Sequence, residues 1–87
     1  MMKNYHLIIS TPDGNAFDGE AAMLTVRGSE GDLAVLADHI PFITAVKECT
    51  GSIVFDDNTE KQIKIGGGIL TVNKNVTTLL TSDFNYV

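Results

Sequence analysis

The chain has 87 residues, 44% of them hydrophobic, with six Lys and Arg against eleven Asp and Glu and a formal net charge of −5 at pH 7. That length makes one domain, whose folding buries roughly 60–65% of the unfolded surface. No apolar run approaches the roughly 18–20 residues of a membrane span, and the opening MMKNYHLIIS lacks the apolar core and small-residue cleavage site of a signal peptide.

In chain order, YHLIIS (5–10) is the first β-favouring run, with Tyr5, Leu7 and Ile9 on one parity. It ends at Thr11-Pro12-Asp13-Gly14, where proline presets φ, Asp can close an Asx turn and Gly tolerates positive φ. AAMLTVR (21–27) alternates Ala22, Leu24 and Val26 with Met23, Thr25 and Arg27, as a strand with one wet face should. DLAVLA (32–37) follows a glycine-flanked loop, and FITAVK (42–47) starts after Pro41, which suits a strand entry because it cannot donate to a ladder. SIVF (52–55) and KQIKI (61–65) flank a polar hairpin loop, Asp56 to Glu60. Gly66-Gly67-Gly68 precedes ILTV (69–72), and Asn73-Lys74-Asn75 is a tight turn before VTTLLT (76–81). No segment carries a helical apolar stripe. Turn signals at this spacing predict an all-β, two-sheet sandwich or a barrel of about eight to ten short strands, in one domain over residues 1–87. Leu7, Ile9, Leu24, Val26, Val35, Val46, Ile63, Ile65, Leu70 and Val72 form the predicted core.

Six acids lie between Asp13 and Asp38, with Arg27 the only Lys or Arg among them. Such a surface repels phosphate backbones and argues against nucleic acid, while a basic partner complements it. The acidic and histidine residues Glu30, Asp32, Asp38 and His39 are the candidates for acid–base chemistry. Asp38 and His39 are adjacent, so on a strand they face opposite ways. Glu30 and Asp32 have no positioned nucleophile beside them, and no catalytic residue is assigned. His6 and His39, the only imidazoles, form no HxxxH or HxH pair, and the acids lack the ligand spacing of a calcium loop, so no metal is assigned. Gly66-Gly67-Gly68 would need a helix after it to cradle phosphate; a β run follows, so a bulge or sharp bend is expected and no cofactor. Cys49, the single cysteine, reads as a small packed residue in a reducing compartment. Asn75-Val76-Thr77 matches a glycosylation sequon by accident, in the absence of an export signal. His39 has two readings that the residues leave open: a loop histidine capping the turn before Pro41, or part of a contact patch with Ile40 and Phe42.

Three stretches also carry a family resemblance. YHLIIST near the start, FDGEAAMLTVRGSEGDLAVLADHIPFITAVK in the middle and GGGILTVNKNVTTL near the end resemble the ε subunit of F-type ATP synthases. The most specific parts are the F-x-G-E at Phe17, GSEGDLAVL with the following H-x-P, and GGGILTV. The resemblance implies a sandwich of about ten strands at the foot of a rotating central stalk. It implies a non-catalytic subunit that couples the c-ring to the γ subunit during proton-driven ATP synthesis, peripheral to the cytoplasmic face of a bacterial membrane without inserting in it. The isolated domain would be a monomer. Carried onto this sequence, Ser29, Glu30, Gly31 and Asp32 would face the c-ring, and Thr11, His39, Ile40 and Phe42 would face γ.

Three departures accompany it. Ala37-Asp38 precedes His39 where the family commonly has Pro-Gly, and Gly66 stands where a serine is usual. The chain also stops at Val87, where the family usually continues into two helices that restrain ATP hydrolysis and sometimes bind ATP. The expectation is therefore coupling without such restraint. The alternative from another class is a free-standing β-sandwich module for a small ligand or peptide, for which four Phe, two Tyr and no Trp offer little pocket lining.

Overall fold

The computed structural model describes residues 3–29, 31–37 and 40–87. Ten strands account for its regular structure: β1 (Tyr5–Thr11), β2 (Gly14–Ala21), β3 (Met23–Gly28), β4 (Gly31–Leu36), β5 (Phe42–Val46), β6 (Cys49–Val54), β7 (Glu60–Ile65), β8 (Gly68–Val72), β9 (Val76–Thr81) and β10 (Phe84–Tyr86). No helix is present among the described residues. The eight runs read from the sequence each overlap one of these strands. The two they omit, β2 and β10, lie at the ends of the strand order β10-β7-β6-β3-β5-β8-β9-β1-β2, with β4 pairing β3 outside that path.

Hydrogen bonding joins all ten strands, yet the sheet works as two facing halves. One half is β4-β3-β6-β7-β10 and the other β5-β8-β9-β1-β2. Among the described residues they meet in the ladder through one residue pair, Gly28 with Val46, reinforced by Lys47 N–H donating to the Arg27 carbonyl at 2.9 Å. All pairings are antiparallel except β1 with β9, where His6 to Ser10 run parallel to Val76 to Leu80. The predicted two-sheet sandwich is thus present as one sheet folded over on itself.

Period-two alternation explains the packing. Leu7 and Ile9, Leu24 and Val26, Ile63 and Ile65, and Leu70 and Val72 are buried two residues apart, pointing into one cluster that also takes Val35, Val46, Ile53 and Leu79. All ten residues of the predicted core lie in it. Each fully buried aliphatic side chain contributes about 1.5–3 kcal/mol relative to exposure, so the shared interior is what keeps two half-sheets closed on so short a chain.

The turns follow residue chemistry. Pro12 and Asp13 link β1 to β2 with Gly14 at φ +123°. The side chain that closes the turn is Thr11 rather than Asp13: its hydroxyl accepts from Asp13 N–H and donates to the Gly14 carbonyl, both at 3.2 Å. The glycine triplet is the sharp bend expected of it. Gly67 has φ +93°, and a Cβ on Gly68 would overlap the Leu80 carbonyl. A Cβ on Gly66 would collide with the Ser82 hydroxyl. Ser82 therefore fills the space that a side chain at position 66 would need, which accounts for the glycine there.

Side chains also tie the halves together. The Tyr5 hydroxyl on β1 donates to the Val35 carbonyl on β4 at 2.8 Å, and Phe17 on β2 meets Phe55, just past β6, with ring centroids 6.2 Å apart. Burial, opposed by the nearby Leu24 backbone, pushes the Tyr5 phenol well above its usual range. Folding therefore favours the protonated phenol. The stability it supplies is complete below the ordinary tyrosine pKa of about 10 and declines as pH rises above it. Tyr5→Phe is expected to cost about 1–2 kcal/mol by leaving the Val35 carbonyl without this donor. It should also flatten the fall in melting temperature above pH 10, which paired alkaline melts of the two proteins would measure.

Candidate functional site

The strand directions place the loops at two ends. The turns at 12–13, 47–48, 66–67 and 82–83 and the Gly28–Gly31 end of the β3–β4 hairpin share one end, and the turns at 55–59 and 73–75 lie at the other with Ile40 and Pro41. Within the first group, Gly28 and Gly31 close the β3–β4 hairpin, Ser29 is exposed and Gly31 has φ +127°. Asp32, also exposed, accepts from Arg27 Nε at 3.2 Å across the hairpin. Glu30 and His39, together with Asp38, lie outside the described residues.

Ser29, Gly31 and Asp32 border a concavity of about 330 Å³ whose other wall includes Phe42 and Ile43. Two of the regions singled out in the sequence are therefore neighbours. Phe42 itself pairs with buried Val72 and packs half-buried against the core, while Ile40 is 79% exposed at the start of the same segment, beyond a trans bond to Pro41. Thr11 lies at the other side of the β5-β8-β9-β1 sheet, where it borders a second concavity of about 410 Å³ with Pro12, Ile69 and Leu80. Of the residues read as one γ-facing group, the described Thr11, Ile40 and Phe42 are thus spread along a face and around its edges.

That face is the outer surface of β5-β8-β9-β1-β2. Its parity is opposite to the core, so Ile43, Ala45, Ile69, Thr71, Thr78 and Leu80 point outward. Cross-strand register sets them in two rows, Ile43–Thr71–Thr78–Ile8 and Ala45–Ile69–Leu80–Ser10. Ile43 is 72%, Leu80 52% and Ile69 49% exposed. Aliphatic side chains so placed form one contiguous apolar patch, the anatomy of an interface centre. Towards β2 the face becomes polar: His6 stands opposite Glu20, and His6 Nε2 donates to Asp18 Oδ1 at 2.5 Å.

Nothing comparable supports catalysis among the described residues. They contain no group of three or more His, Cys, Asp and Glu able to hold a metal. Cys49 is half-buried and accepts from the Arg27 backbone N–H at 3.4 Å, so the cysteine is packed as expected. Asp57, fully exposed in the β6–β7 loop, has its carboxyl held below the usual carboxylate range by hydrogen bonds from the Thr59 hydroxyl and backbone. That is a turn lock, and it stands alone. No helix among the described residues is long and apolar enough to cross a membrane.

Residues 4–86 match the family described as the ATP synthase, Delta/Epsilon chain, beta-sandwich domain. The chain belongs to that family. A relative from Acetobacterium woodii, described as "ATP synthase epsilon chain, sodium ion specific", is 40% identical over 93% of this chain and 61% of its own length. The "ATP synthase epsilon chain" of an Exiguobacterium species is 33% identical over 91% of this chain and 58% of its own. The chain thus spans about three-fifths of these curated relatives. Among solved structures, a chain of the Euglena gracilis mitochondrial ATP synthase (OSCP/F1/c-ring) superposes with TM-score 0.89 at 21% identity, covering 99% of this chain and 56% of that one. One from the Tetrahymena thermophila mitochondrial ATP synthase (central stalk/c-ring) gives 0.79 at 13% identity, covering 97% and 67%. Both have the same fold. The ε-subunit resemblance seen in the sequence is upheld, and the delta/epsilon sandwich fold explains why ten strands were the right count.

The delta/epsilon sandwich leaves Phe42 and Ile43 with opposite tasks. Phe42→Ala empties part of the core edge and is expected to destabilise the free domain by about 2–4 kcal/mol, whereas Ile43→Ser should change stability by under about 0.5 kcal/mol. Urea unfolding of both variants checks this assignment.

Proposed function

We propose that this domain is part of a non-catalytic rotor subunit in the central stalk of an F-type ATP synthase, where it couples the c-ring to the γ subunit. The carrying observation is the exposed apolar patch of Ile43, Ile69 and Leu80 on a delta/epsilon-family sandwich. Such a patch is poorly suited to water and well suited to a permanent partner. In this reading γ covers the patch and also contacts Thr11, His39, Ile40 and the exposed part of Phe42. The turn Ser29-Glu30-Gly31-Asp32 meets the c-ring, whose basic loop residues would complement its carboxylates. The domain sits peripherally at the cytoplasmic face of a bacterial membrane and reaches the bilayer through protein alone.

The ring contact is tested by Glu30→Lys combined with Asp32→Lys. Exposed loop charges change stability by under about 0.5 kcal/mol, and the only described local cost is placing a lysine at 32 beside Arg27. The expected result is a folded domain that still co-purifies with γ but lowers ATP synthesis at a fixed ion gradient. Normal coupling in the double variant would put the ring contact elsewhere.

Hydrolysis supplies a second test. The described elements are strands of at most eight residues within a body 31 Å long, and none of them reaches away from it. Reconstituted as these 87 residues, the sandwich is expected to support coupled synthesis, leave ATP hydrolysis as fast as in complexes without it, and bind no ATP. A strong domain-dependent drop in hydrolysis would refute that expectation.

A further inference from the structure

The outer face of β5-β8-β9-β1-β2 is apolar at one side and acidic at the other. Along one register row Ile43, Thr71, Thr78 and Ile8 lead to Asp18; on the neighbouring edge His6 leads to Glu20. Among the outward residues of these five strands there are two carboxylates and no lysine or arginine. His6 takes one oxygen of Asp18, and no ion pair to Glu20 is present among the described residues. Both acids are exposed. Strands lie about 4.8 Å apart, so the acidic rim begins two strand spacings, about 10 Å, from Leu80 on β9.

From this we infer that the partner surface docking on the patch carries lysine or arginine side chains about 10 Å from its apolar strip, opposite Asp18 and Glu20. The inference rests on the proposed docking of γ here and adds its chemistry and orientation. An apolar patch alone is nearly symmetric and would accept a strip laid in either sense. Carboxylates along one side distinguish the two senses, because the wrong one leaves the rim acids facing apolar or acidic groups. The rim also attracts the partner before contact, so the association rate should depend on salt.

The test measures binding of the full chain to the catalytic assembly of the same ATP synthase from which this subunit has been stripped, at 50 mM and 300 mM salt. Variants are Asp18→Asn with Glu20→Gln, Glu20→Lys, Ile43→Asp and Leu80→Asp, each checked for an unchanged melting temperature. The inference expects Glu20→Lys to weaken binding at least tenfold at low salt, mainly through slower association, and the neutral double variant to lose most of the salt dependence. If the aspartates at 43 and 80 abolish binding while the rim variants stay within twofold of the parent at both salts, docking stands and the basic complement is overturned. If the variants at 43 and 80 bind like the parent, the face is not the docking site and both readings fall.

Discussion

Everything in this molecule hangs on one row of the ladder. Gly31 pairs with Gly28, Gly28 with Val46, Val46 with Gly68 and Gly68 with Thr81. The row crosses from one half-sheet to the other, and among the described residues it is the only place where the ladder does so. Its glycines share the inward parity of Val46, so the inner side of the fold line lacks Cβ atoms at those positions and Val46 is the large side chain that turns into the core there. At Gly68 there is no room for anything else, since a Cβ would overlap the Leu80 carbonyl. The Thr81 hydroxyl then fixes the corner by donating to the Gly67 or Asp83 carbonyl, each 3.0 Å away. With the sheet doubled at this line, period-two alternation leaves no freedom: one parity closes into the core and the other faces outward.

That constraint explains why the candidate surface is apolar. Core packing uses the inward parity of β5, β8 and β9 fully, and needs nothing of Ile43, Ile69 or Leu80. Three aliphatic side chains standing in water in adjacent rows contribute little to the free domain. Thr71 and Thr78 between them show that polar, β-favouring residues are readily accommodated at such positions. Burial under a partner is the condition in which the aliphatic choices stabilise something. The acids of β2 complete the pattern of an apolar centre bounded by a polar rim.

Much of this was legible in the residues. Eight strands and the ten core positions follow from alternation alone, because hydrophobic burial on one face is a strong and local signal. β2 was not legible: Gly14-Asn15-Ala16-Phe17-Asp18-Gly19-Glu20-Ala21 has the composition of a loop, and it is held extended by its pairing with β1, through a register shift at Ile9 and Ser10. Tertiary context overrides a weak propensity there. β10 is three residues long and follows the same logic against β7. The outer patch is also encoded by parity. Once Val46 is inward, Phe42 shares its parity and Ile43 does not; once Leu70 is inward, Ile69 must face out. Phe42 therefore packs half-buried against the core, whereas Ile43 stands on the outer face. Where Thr11 sits relative to Ile69 and Leu80 depends on the parallel β1–β9 pairing, which no local pattern encodes.

The same row bears on how a rotor element would transmit force. In the proposed assignment the ring meets the Ser29–Asp32 turn and γ meets the outer face of β5, β8 and β9. The turn is closed by the Gly28–Gly31 pair, and Gly28 pairs with Val46 of β5, the strand that presents Ile43, with Lys47 N–H donating to the Arg27 carbonyl beside that pair. From β5 the ladder continues without interruption to β8, β9, β1 and β2. In that assignment load entering at the turn would reach the outer face of β5, β8 and β9 through the backbone ladder and a close-packed core. Close-packed interiors have low compressibility, so displacement at one contact would appear at the other with little loss. A coupling element needs that stiffness between its two contacts, and the two proposed contacts are built on strands that share one fold line.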